Sequence, residues 1–239
     1  MIQNLRKYLT GIVIGIRFGA NFSIEDQFGQ IVDHILYSKK SFFDPSVFPE
    51  VQNKINQRIL INKKTSDRLL IDNSNIILEI NFSKSDIGFN EKDIKKIYKN
   101  FIDQIINGIM KKYEIKKIAR IGIVKRYLFD INAFADSFVD KTIGKTFKGV
   151  NDVNLIFSKK LPLLKAIAEK TSDYDNVIFN IIKTTDKDEL FMGIDYQQLF
   201  DPFLSVSSQI KFDKFIKSVD SFTDNEYLSW LNNNYGEIE

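Results

Sequence analysis

Residues 91–110 read EKDIKKIYKNFIDQIINGIM, and after a short link residues 118–129 read IARIGIVKRYLF. In the first stretch Ile94, Ile97, Tyr98, Phe101, Ile102, Ile105, Ile106, Ile109 and Met110 recur at helical spacing, and Lys92, Lys95, Lys96, Lys99 and Asp103 fall away from them. Asn90 is placed to cap this helix. A stripe so broad needs a sheet to lie on, and the 118–129 strand follows directly.

The same pattern extends toward the N-terminus. Ile12, Ile14, Ile16 and Phe18 alternate along a strand that also carries Arg17. Ser23 and Asp26 form an S-x-x-D helix start, and Ile24, Phe28, Ile31, Val32, Ile35 and Leu36 then follow at helical spacing. Residues 42–49 carry two prolines and three phenylalanines and read as an irregular connection. Strands are predicted at 58–61, 68–72 and 76–82, separated by polar turns at 62–67 and 72–75. Residues 1–130 therefore read β-α-β-β-β-α-β.

Residues 131–239 begin with a helix over 132–143, closed by Gly144. Strands are predicted at 153–157, 177–182 and 190–194, while 161–170 fits strand or helix. A helix over 210–219 is followed by Thr223-Asp224-Asn225-Glu226, a T-x-x-E box opening a last helix with Tyr227, Leu228, Trp230 and Leu231. The expected class is α+β: antiparallel sheets packed with amphipathic helices, divided into 1–130 and 131–239 and open to reading as two related halves. No short repeat is visible.

Composition narrows the chemistry. The 239 residues are 44% apolar, enough for a core, and the net charge is 34 − 31 = +3, too small to mark a nucleic-acid protein by itself. With no Cys, disulfides, thiolate metal sites and cysteine nucleophiles are excluded, and one His, His34, rules out a multi-histidine metal site. No cofactor or metal is expected. Lysine is inflated together with other residues of A/T-rich codons (36 Ile, 28 Lys and 20 Asn against 6 Ala and 6 Arg), so a lysine run is weak evidence of a binding patch. The uncharged stretch before Arg17 is too short for a membrane span, which needs about 20 apolar residues, so a cytoplasmic chain is expected.

Several motifs approach a chemistry without completing it. Gly144-Lys145-Thr146 ends like a phosphate loop, but the position needing glycine is Val139. Asp72 with Glu79-Ile80-Asn81 has the carboxylates of a metal-dependent nuclease, yet Asn81 stands where a lysine is required, and Asp72 suits the 72–75 turn. His34 with Tyr37 and Lys40 could cleave RNA without metal, the His moving protons and the Lys stabilising the phosphate. In length, paired α+β halves and these residues near the first helix, the chain resembles the CRISPR repeat-processing endoribonucleases, but their C-terminal glycine-rich loop is absent from the sequence. Arginines are scarce, so Arg17, Arg120 and Arg126, with Lys63 and Lys64 at one turn, are the candidate anion-binding residues.

Ile118-Ala119-Arg120-Ile121-Gly122-Ile123, together with Ile16-Arg17-Phe18 and Met192-Gly193-Ile194-Asp195-Tyr196, resembles a sporadically distributed family of uncharacterised bacterial proteins of about 250 residues with a central R-I-G-L strand motif. Val124-Lys125 separates that motif from Arg126-Tyr127, which the family joins directly. The resemblance implies no catalytic residue. Its patchy distribution implies mobile elements or defence islands.

The function expected is a non-catalytic binding or assembly protein, a component of a phage-defence or toxin–antitoxin type system, with a protein partner or self-association. The alternative is metal-independent RNA cleavage or RNA binding through His34, Tyr37 and Lys40.

Overall fold

The computed structural model describes residues 2, 4–38, 50–54, 57–63, 65–82, 91–130, 134–144, 150, 152–161, 174–184, 189–204 and 212–235. The connection 42–49, the cap Asn90, Lys40, Lys64, Lys145 and residues 162–170 lie outside them.

The chain is an α+β protein. Its strands are β1 (Leu9–Phe18), β2 (Glu50–Lys54), β3 (Gln57–Ile61), β4 (Arg68–Asp72), β5 (Asn75–Asn81), β6 (Ile118–Phe129), β7 (Val153–Leu161), β8 (Tyr174–Lys183) and β9 (Leu190–Leu204). They form one sheet in the order β2-β3-β4-β5-β1-β6-β9-β8-β7, every neighbour antiparallel. β6 pairs with β1 on one side and β9 on the other, so a single antiparallel sheet runs unbroken from residues 1–130 into residues 131–239.

Period-two alternation decides which face is covered. Ile12, Ile14, Ile16 and Phe18 of β1, Ile121, Ile123, Tyr127 and Phe129 of β6, and Met192, Ile194 and Tyr196 of β9 all point into one core cluster. Burying each such side chain contributes roughly 1.5–3 kcal/mol before entropy is counted. The helices roof this face. They are α1 (Phe22–Asp26), α2 (Phe28–Leu36), α3 (Glu91–Phe101) continuing as a π-helix Ile102–Met110, α4 (Phe134–Val139) continuing as Asp140–Gly144, α5 (Phe212–Ser221) and α6 (Leu228–Tyr235). Ile94, Tyr98, Phe101, Ile105, Ile109 and Met110 bury the predicted stripe, with Ile97, Ile102 and Ile106 at its rim. None of these helices is long and apolar enough to cross a membrane.

Two predicted helix starts are corrected. Asn21, not Ser23, caps α1, its side chain accepting from the Ser23 N–H. Thr223 caps nothing: α5 reaches α6 through an unbroken π-helical turn, Phe222–Tyr227, and Thr223 is fully buried. Its hydroxyl is taken by a charge in the core.

That charge is Lys125, on the inward face of β6. Its Nζ donates to Asp220 Oδ1 at 2.8 Å and Thr223 Oγ1 at 2.7 Å, and Arg6 donates to neighbouring Asp224 at 2.6 Å. The network ties β6 and the N-terminal turn to α5. β8 repeats the device, with buried Lys183 3.0 Å from Asp136 of α4.

Candidate anion-binding face

The other face of the sheet has no helix among the described residues, and its apolar side chains Val13, Ile77 and Val124 do not belong to the core cluster or its rim. The pairing of β1 with β6 sets Val13 opposite Val124, Gly15 opposite Gly122 and Arg17 opposite Arg120. Val-Ile-Gly-Ile-Arg over 13–17 thus meets its own reversal, Arg-Ile-Gly-Ile-Val over 120–124. This short repeat escapes a search for repeats in the same direction.

The facing glycines form the floor of a depression of about 180 Å³ walled by Val13, Ile77, Val124, Arg120 and Asp195. Their backbone does not require glycine. A Cβ at 15 would come no nearer than 3.7 Å to Ile77, and one at 122 no nearer than 3.5 Å to Asp195. Those are ordinary contacts, whereas a Cβ at Gly11 would lie 2.9 Å from the Ile80 carbonyl, which does exclude other residues. Glycine inside a strand costs about 0.5–1 kcal/mol relative to alanine. At 15 and 122 that cost preserves open space.

At one end of the floor stand Arg17 and Arg120. Directly opposed side chains on adjacent strands sit about 5 Å apart at Cβ, and like charges there repel. Among the described residues neither guanidinium has an ion-pair partner within 4 Å. Asp195 faces Arg120 more loosely: burial raises its carboxyl above the ordinary value, and a hydrogen bond from Gln197 and the Arg120 charge pull it partly back. Two unpaired arginines on a rigid strand pair can hold one carboxylate or phosphate between their planar forks.

The remaining candidates spread out. Arg126 shares the face but lies six residues from Arg120, about 20 Å at strand rise, and is paired with Glu79. Lys63 sits in the β3–β4 turn, at that same far end of β1. Asp72 accepts from the backbone N–H of Ser74 and Asn75 at 2.7 and 2.6 Å, which makes it a turn residue. It stands four residues along from Arg68, the partner of Glu79, so the two carboxylates are about 13 Å apart and cannot share a metal.

His34 and Tyr37 belong to the opposite side of the molecule. α2 packs into the core from the helical layer, and the His34 Nε2 would lie 2.6 Å from a Cβ at Gly108, so the ring rests on the π-helix. Tyr37, the C-terminal cap of α2, is exposed. The sheet thus stands between this pair and the arginines. Asp195, Gln197 and the glycine floor were not among the predicted site residues, although alternation from Gly193 places Asp195 and Gln197 on the outward face.

A scan against protein-family models matched none, and no curated protein matched the chain.

Proposed function

We propose that this chain is a non-catalytic binding protein that takes an acidic group of a protein partner on the bare face of its sheet. The observation that carries the reading is the Arg17–Arg120 pair, opposed across two strands beside a floor kept open by Gly15 and Gly122. Four of the six arginines, Arg17, Arg68, Arg120 and Arg126, share this face, but so do Asp72, Glu79 and Asp195. A continuous polyanion would meet those carboxylates. A protein surface offering one well-placed carboxylate would not, which favours a protein partner over nucleic acid. A role in a defence or toxin–antitoxin type system is compatible with such an adaptor.

The test is a backbone amide NMR titration of the purified chain with a short glutamate-rich peptide, repeated with a single-stranded RNA of equal charge. Shifts confined to Val13, Gly15, Gly122 and Val124, and abolished by Arg17→Gln with Arg120→Gln, are expected for the peptide. Absence of shifts, or shifts indifferent to the substitutions, would refute the proposal; a response to RNA alone would move the reading to nucleic acid.

A further inference from the structure

The edge strand β7 is built to pair, and we infer that its occupant is the β7 of a second copy of this chain. The inference is independent of the bare face, since β7 lies three strands from β6, at the sheet margin. Ile156 and Phe157 project to opposite sides of β7 and are 69% and 47% exposed. Trp230, 39% exposed on α6, stands across a groove of about 340 Å³ from Phe157, with Phe179, Phe222 and Tyr227 between them. Three of the five large apolar side chains that the described residues expose therefore cluster at this edge. Edge strands normally avoid this, because bare backbone beside exposed Ile and Phe recruits another strand.

The sequence of β7, VNLIFSKKL, selects the partner and the direction. Antiparallel self-pairing about Phe157 engages all nine residues, Val153 with Leu161 at the ends. Both charges sit in the second half, so Lys159 falls opposite Leu155 and Lys160 opposite Asn154. A parallel, in-register arrangement would set lysine on lysine and repel. The aromatic geometry agrees. Phe157 stacks on Phe179 across β7 and β8 with ring centroids 4.8 Å apart and planes 17° apart, which is the strand spacing itself. The Phe157 of a second copy, one strand further out, continues the ladder to four rings. The same pairing extends the floor of the groove past its open side and joins two nine-stranded sheets into one.

The chain has no cysteine, so one introduced thiol reports the register unambiguously. Sedimentation velocity on the full chain at roughly micromolar to tenth-millimolar concentration, the range suited to a modest interface, is expected to show a dimer. Phe157→Lys is expected to yield a folded monomer. Under mild oxidation Phe157→Cys is expected to form a disulfide-linked dimer, because facing residues of an antiparallel pair lie about 4.5–5.5 Å apart at Cα, within disulfide reach. Ser158→Cys is expected not to, since its counterpart is displaced by two residues along the strand and lies beyond about 7 Å. A wild-type monomer throughout that range, a dimer indifferent to Phe157→Lys, or cross-linking at 158 but not 157 would each overturn the inference.

Discussion

The two faces of the sheet treat charge in opposite ways. On the covered face the helical layer answers the buried lysines of the described residues, Lys125 by Asp220 and Thr223 and Lys183 by Asp136, and the Tyr196 hydroxyl donates to one oxygen of buried Asp175 at 2.9 Å. On the bare face Arg17 looks across at Arg120, and Asp195 answers only one of them, at a distance. Desolvation explains the contrast. An inward charge without a partner would unfold the protein, so the fold supplies one. The outward arginines keep more of their water, and leaving them opposed to each other costs only a fraction of a kcal/mol.

Substitutions test this contrast. The largest effect is expected from Lys125→Ala, which strands Asp220 beside Thr223; urea unfolding should show a loss of about 3–5 kcal/mol. A loss below about 1 kcal/mol would mean that the inward charge is dispensable and that the two faces hold charge alike. The glycines come next. Gly11→Ala drives a Cβ into the Ile80 carbonyl and should cost about 1–3 kcal/mol. Gly122→Ala meets only ordinary contacts and should stabilise by up to about 1 kcal/mol while narrowing the depression. Equal losses at both positions would return Gly122 to the fold.

The smallest effect is a pH dependence, and it too separates the faces. Burial raises the Asp175 carboxyl on the covered face, against the pull of its Tyr196 and Gln198 hydrogen bonds. The folded state therefore holds that proton more tightly than the unfolded chain. The stabilisation from Asp175 is complete below the ordinary carboxylate pKa and fades as pH rises through the raised one. Asp175→Asn should flatten that part of the urea midpoint–pH curve, and an unchanged curve would contradict it. Asp195 is raised by the same cause but stands beside Arg120, so its protonation should also tighten anion binding as pH falls. Asp195→Asn should remove that tightening.

Much of this fold is legible in sequence because its central strands alternate cleanly. The inward sets of β1 and β6, the outward placement of Arg17, Arg120 and Arg126, and the stripe of α3 all follow from periodicity. Polar positions inside strands and helices were harder to read. Asp195, Gln197 and Gln198 interrupt the apolar pattern of β9, so a strand that runs to Leu204 was expected to stop at 194. Thr223 looked like a cap because spacing alone cannot show a lysine arriving from a strand 98 residues away. β2, EVQNK, has one apolar residue and no alternation to betray it. The candidate site was half visible: alternation marks the outward arginines, but only the antiparallel pairing sets Arg17 against Arg120 and glycine against glycine.

On the proposed reading this arginine pair serves a ligand and not the fold. The direct measurement is the urea unfolding midpoint of the wild type and the Arg17→Gln/Arg120→Gln variant, each with and without citrate as a multivalent carboxylate probe. Without citrate the variant should be as stable as the wild type or a few tenths of a kcal/mol more so, because a like-charge pair is relieved. With citrate only the wild type should gain stability, by the linkage that rewards binding to the folded state. A variant already weaker by more than about 1 kcal/mol without citrate, or one that gains as much from it as the wild type, would contradict the claim.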